Sequence, residues 1–182
     1  MFDRKDVVVS DTIALGCSHT YGIGVKESET WSYLLNACNF GQPGCSADFI
    51  VRMAPGIINE LLPITIYVLW PDWSRFEINE NNTIKQSLPT DSNRINYMKT
   101  HNEDWLKNNF KSQTDQLRQL CEEKNIQLIE MTLYNLIPYI DHADRWPVSD
   151  LGHHYSPVWH RWVADIFNNL KETNTVLELA YE

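Results

Sequence analysis

The stretch Ile13-Ala14-Leu15-Gly16-Cys17-Ser18-His19-Thr20-Tyr21-Gly22 decides how this chain is read. Residues 12–15 predict a buried strand that ends in a turn at Gly16, after which a serine stands at the start of a predicted helix. Such a junction exposes a side chain. It suits a nucleophile, and it equally suits an N-cap, the commonest use of serine at a helix start. Near the other end, Asp150-Leu151-Gly152-His153-His154-Tyr155-Ser156-Pro157 supplies an acid, two imidazoles and a helix-start signal. A serine hydroxyl attacks well when an imidazole takes its proton and a carboxylate holds that imidazole, so the chain contains the groups that would activate Ser18.

Outward from Ser18, Val7-Val8-Val9 suggests a short lead-in strand. Trp31, Leu34, Leu35 and Cys38 recur at helical spacing and predict a helix over 30–37. Cys38-Asn39-Phe40-Gly41-Gln42-Pro43-Gly44 reads as a short strand running into a glycine-rich loop. A helix over 46–62 follows, bent or interrupted at Pro55-Gly56. The continuous apolar run over 64–70, between Pro63 and Pro71, has the pattern of a central strand buried on both faces of a parallel sheet. Residues 78–100, rich in Asn, Ser, Thr and Asp, predict an irregular excursion or lid. A long amphipathic helix over 103–124 carries Trp105, Leu106, Phe110, Leu117, Leu120 and Cys121 on its apolar stripe, and a strand follows over 126–131. Ser156 as N-cap and Pro157 at the first helical position open a last helix to about residue 170. That helix is expected to bury Val158, Trp162, Val163, Ile166 and Phe167, and to leave a peripheral tail from about residue 172. Strands alternating with helices imply one three-layer α/β domain over residues 1–182 with a mostly parallel central sheet. Ligands of such sheets gather at the carboxyl ends of the strands.

The excess of 24 acidic over 15 basic side chains, a formal charge of −9, disfavours a phosphate-backbone interface, so nucleic acid is not an expected partner. The charged start Met1-Phe2-Asp3-Arg4-Lys5-Asp6 lacks the pattern of a secretory signal, and no segment has the length of a bilayer span. Cys17, Cys38, Cys45 and Cys121 show neither CxxC spacing nor the density of a disulfide scaffold. A cytoplasmic setting, reduced thiols and no membrane partner are the expectations, with oligomeric state left open. Gly22 and Gly24 fit neither a dinucleotide fingerprint nor a P-loop. His153, His154, His160 and Asp150 are metal-ligand types, but the helix sets His160 more than a turn beyond the pair, so neither metal nor organic cofactor is expected.

Gly16-Cys17-Ser18-His19-Thr20 with Gly22-Ile23-Gly24, then Asn39-Phe40-Gly41-Gln42-Pro43-Gly44, Trp70-Pro71-Asp72-Trp73, and His154-Tyr155-Ser156-Pro157 through His160, resemble in that order the blocks of the SGNH (GDSL-like) hydrolase family. The resemblance covers residues 12 to about 167. It implies a flavodoxin-like α/β fold and a serine esterase or acyl hydrolase. The implied substrates are small-molecule or carbohydrate esters, O-acetyl groups among them, cleaved through an acyl-enzyme. Ser18 would be the nucleophile, Asp150 the orienting acid, and the amides of Ser18 and Gly44 the oxyanion donors. The family spacing D-x-x-H selects His153 as the base, whereas alignment to the helix start selects His154. Cys17 replaces the family's aspartate. Asp72 stands where the family has an asparagine donor to the oxyanion hole; an ionised carboxylate cannot donate, and Arg75 is the nearest substitute. His19, Trp70, Trp73 and Arg75 are the expected substrate-binding residues, with the aromatic ones equally readable as packing. The competing reading is a non-catalytic carbohydrate-binding or particle-associated module on the same fold.

Overall fold

The computed structural model describes residues 10–80, 83–87, 102–133, 135 and 155–179. The expected strand at Val7-Val8-Val9 lies outside these residues. Strands β1 (Thr12–Gly16), β2 (Cys38–Gly41), β3 (Thr65–Trp70) and β6 (Gln127–Thr132) form a parallel sheet in the order β2-β1-β3-β6. Every residue of β1 and β3 is buried, which is why both read as unbroken apolar runs rather than alternating ones.

The pleat sorts these residues between two layers. Ile13, Leu15, Ile66, Val68 and Trp70 face α3 (Ala47–Leu61) and α4 (Glu103–Glu123), where they meet Ile50, Ala54, Ile58, Phe110 and Leu117. Ala14, Tyr67, Leu69, Ile129 and Met131 face the other way, against Trp31 of α2 (Trp31–Leu34) and Trp159, Val163 and Phe167 of α5 (Pro157–Thr173). Between β1 and α2 lie a helix of one turn, α1 (Ser18–Tyr21), and a 3-10 turn, Glu27–Glu29. This is the expected flavodoxin-like three-layer arrangement.

Several local expectations change. The helix predicted over 30–37 stops at Leu34, because Asn36 turns left-handed at φ 52° and the Ala37 amide bonds back to the Ser32 carbonyl at 2.9 Å. Conversely, α3 runs unbroken through Pro55 and Gly56: both are exposed, while Ala54, Ile57 and Ile58 hold the buried face. Part of the expected excursion is a hairpin, β4 (Phe76–Glu80) paired antiparallel with β5 (Thr83–Ser87). On α4 the buried stripe is Leu106, Phe110, Thr114, Leu117 and Cys121, with Trp105 38% exposed beside it.

Helix α5 extends to Thr173, and its buried face is Trp159, His160, Val163, Ala164, Phe167 and Leu170. Val158, expected inside, is 50% exposed, so the predicted face is rotated by about one position. Ser156 has the extended backbone of an N-cap, but its hydroxyl makes no capping bond. The tail expected to be peripheral returns to the domain: Leu179 is 4% exposed in the core, and Asn135 Nδ2 donates to the Glu178 carbonyl at 2.8 Å.

Candidate active site

The carboxyl ends of β1, β2 and β3 end level, since Gly16 pairs with Gly41 on one side and with Leu69 on the other. The loops that follow these strands therefore open onto one rim. Gly16 makes the first turn at φ 155°; a Cβ there would stand 2.0 Å from Thr20 Oγ1 and 2.6 Å from the Leu69 carbonyl oxygen. Cys17, not Ser18, is the N-cap of α1, and it makes no side-chain cap bond. Ser18 is thus the first helical residue. It is 7% exposed, and its first-turn amide has no intrahelical acceptor.

This single turn is held from β2. Asn39 Nδ2 donates to the Thr20 carbonyl at 2.7 Å, while Asn39 Oδ1 accepts from the Gly41 amide at 2.9 Å. The loop from β2 to α3 is tied to the same place, as the Gln42 amide and Cys45 Sγ both donate to the Gly16 carbonyl, at 2.9 and 3.3 Å. Gly44 lies between those two anchors with φ 77°. The Ser18 turn and the Gly44 loop are therefore neighbours, as oxyanion donors on two segments must be. Burial raises the Cys45 thiol pKa, with Cys17 adding to the rise and the Arg75 charge opposing it.

Asp150, His153 and His154 lie outside the described residues. The residue that follows them does not: Tyr155 stacks on Trp159 at a ring separation of 4.5 Å and meets His19 at 5.0 Å, with His19 also 5.7 Å from Trp159. Tyr155 is adjacent in sequence to His154, and His19 to Ser18. Half-buried His19 is thus a packing partner of Tyr155 and Trp159.

The third loop carries two corrections. Trp70, expected at the substrate, is 0% exposed: its ring packs edge-on against Phe110, and its Nε1 donates to Glu130 at 2.6 Å. Glu130 also accepts from Arg118 Nε at 2.5 Å. Trp70 is a core residue because the strand continues to it before the rim begins. Asp72 Oδ1 accepts from the Ser74 amide at 2.8 Å and from the Ser74 hydroxyl, closing its own turn. Trp73 is half-buried over the core, with Lys107 Nζ 5.5 Å from its ring centre. Arg75 is half-buried, and its Nε and Nη1 atoms are buried with no hydrogen-bond partner among the described residues.

His160 belongs to the core. It is 2% exposed, its Nδ1 accepts the Trp31 amide at 3.2 Å, and burial lowers its pKa to about 4, against a small opposing pull from Glu29. An unfolded histidine takes its proton near pH 6.5, so between pH 6.5 and about 4 the unfolded chain binds more protons than the folded one. The contribution is complete above pH 6.5 and is lost as pH falls toward 4. We expect His160→Asn, which keeps an acceptor for Trp31, to remove about 2–3 kcal/mol of the stability difference between pH 7 and 4.5. Urea unfolding at the two pH values measures it; an unchanged difference would place the acid sensitivity elsewhere.

Sequence reasoning missed Asn39, Cys45 and Tyr155 as parts of the site. Asn39 had a signal, a polar residue of low strand propensity inside a predicted strand. Among the described residues no group of three or more His, Cys, Asp or Glu is arranged to hold a metal, and no helix is long and apolar enough to cross a membrane.

No protein-family model matches the chain, and no curated protein matches it in sequence. Solved structures are similar to it in shape. The crystal structure of TesA aligns with a TM-score of 0.58 at 9% identity, over 88% of this chain and 98% of that one. The psychrotrophic esterase EstA from Pseudoalteromonas sp., inhibited by monoethylphosphonate, gives a TM-score of 0.48 at 14% identity, over 91% and 100%. A two-domain esterase active on acetylated mannans gives 0.47 at 15% identity, over 92% of this chain and 50% of that one. At 9% identity the likeness to TesA is one of fold, and it is the α/β fold that the SGNH resemblance implies.

Proposed function

We propose that the chain is an ester hydrolase in which Ser18 is the nucleophile. The observation that supports this reading best is the meeting of His19 and Tyr155, 5.0 Å apart between ring centres, because it joins the neighbour of the serine to the neighbour of the histidine pair. In the proposed reaction, Ser18 Oγ attacks the ester carbonyl carbon while His154, or His153, accepts its proton, and Asp150 holds the imidazole and stabilises its charged form. The amides of Ser18 and Gly44 donate to the oxyanion, each worth roughly 3 kcal/mol of barrier. Collapse returns the proton to the departing alkoxide, and water then attacks the acyl-Ser18 carbon by the same base. Asp72 takes no donor role in this scheme, since its carboxylate serves the Ser74 turn. The substrate class is a small-molecule or carbohydrate carboxylic ester, O-acetyl groups included.

A fluorophosphonate probe tests the reading. Wild-type protein is expected to form one adduct, mapped to the Ser18 peptide by mass spectrometry and absent from Ser18→Ala and His154→Ala, the His153→Ala variant deciding between the registers. Folded protein that takes no label would turn the reading to the non-catalytic module.

A further inference from the structure

Among the described residues Arg75 is an unpaired cation, in an acidic chain of formal charge −9 where carboxylates are plentiful. The two nearest in sequence are engaged otherwise: Asp72 accepts from Ser74, and Glu77 pairs with Arg52 at 2.7 Å. Burying guanidinium N–H groups without acceptors costs free energy, and pairing with either carboxylate would have relieved it. The charge is not remote from the site. It acts on the Cys45 thiol, whose sulfur bonds to the Gly16 carbonyl two residues before Ser18. Arg75 also sits in the loop after β3, and so on the rim shared with the Ser18 turn and the Gly44 loop. A planar guanidinium whose buried Nε and Nη1 have no protein acceptor among the described residues, on a segment at such a rim, matches the oxygens of a carboxylate or phosphate once the ligand's approach uncovers those donors.

We propose that Arg75 is a specificity-determining residue that binds an anionic group of the substrate, a carboxylate or phosphate held beside the scissile ester. The inference rests on the reading of Ser18 as an ester-cleaving nucleophile. The missing acceptor arrives with the substrate, and a neutral ester leaves the guanidinium unsatisfied in the complex. Charge-assisted hydrogen bonds of this kind discriminate by roughly 10- to 100-fold. An arginine kept for packing would stabilise the free protein, whereas one kept for a ligand is a liability without it.

The test compares 3-acetoxybenzoate and 3-acetoxyphenyl phosphate with neutral methyl 3-acetoxybenzoate, using wild type, Arg75→Gln and Arg75→Lys. Wild type is expected to prefer one of the anionic esters by roughly 10- to 100-fold in kcat/KM, chiefly through KM. Arg75→Gln brings that ratio near one, and Arg75→Lys keeps part of it. Without ligand, Arg75→Gln melts no lower than wild type; a fall of several degrees marks a structural arginine and overturns the proposal. So does a wild type that shows no anion preference, or a ratio unchanged in Arg75→Gln. A binding measurement separates the two readings: benzoate or inorganic phosphate should raise the Tm of Ser18→Ala but not of Ser18→Ala/Arg75→Gln. If that shift is present while wild type cleaves no ester, the anion site stands and the hydrolase reading falls. If esters are cleaved without preference and the shift is absent, the hydrolase stands and the anion site falls.

Discussion

Ser18→Ala is expected to lower kcat on any ester that the protein cleaves by roughly 10⁴- to 10⁶-fold, the loss that follows when a member of a coupled serine–histidine pair is removed. The fold should not notice the change. Ser18 is the first residue of α1 while Cys17 occupies the capping position, so the hydroxyl has no capping duty, and alanine is a good helix former. Thermal melting within about 1 °C of wild type, measured beside initial rates on a saturating ester, would therefore separate chemistry from stability. Adding His154→Ala to Ser18→Ala should cost little more, because the two groups act as one unit. Residual activity above a hundredth of wild type in Ser18→Ala would assign the reaction to another group.

The second large effect concerns the scaffold under that serine. A Cβ on Gly41 would lie 2.3 Å from the Tyr21 nitrogen, 2.7 Å from the Thr20 carbonyl carbon and 2.8 Å from Tyr21 Cα, all backbone atoms that cannot rotate away. Gly41→Ala must push β2 from α1 or break the bonds that join them, and a loss of about 3 kcal/mol or more is expected. In a domain of this size that corresponds to a Tm lowered by roughly 6–12 °C. Labelling of the surviving folded protein should slow as well, since the displaced turn carries Ser18. Gly56→Ala is the control: nothing lies within 4 Å of the point where its Cβ would stand, and an exposed helical glycine replaced by alanine gains about 0.5–1 kcal/mol. Urea unfolding of the two variants should move in opposite directions; a neutral Gly41→Ala would show that α1 is free to shift.

The frame of the fold was legible where burial dominates the sequence signal. Strands β1 and β3 are apolar after their first threonines because both faces are covered. The hairpin of β4 and β5 was hidden because its Asn-rich sequence gives up strand propensity. The phase of α5 was misread because periodicity gives the spacing of a face, whereas the sheet decides which neighbouring row turns inward: His160, polar in any scale, is inside, and Val158 is outside. Trp70 was ambiguous for a related reason, since an aromatic at a strand end fits a pocket wall or the last layer of core until its depth is known. Of the candidate residues, Ser18 and Gly44 stand at local turn signals that the sequence shows. The unpaired state of Arg75 and the engagement of Asp72 depend on which side chain reaches which, and spacing along the chain carries no such record.

Asn39 binds the Ser18 turn to β2, a strand of four residues at one end of the described sheet. End strands open more readily than interior ones, so the Ser18 turn shares the fate of an easily frayed member of the sheet. The backbone amides of Gly41 and Tyr21 should exchange with solvent deuterium at matched rates, faster than those of β3. On warming, catalysis should fade while the bulk of the molecule remains folded, with Asn39 as the hinge between the two thermal limits.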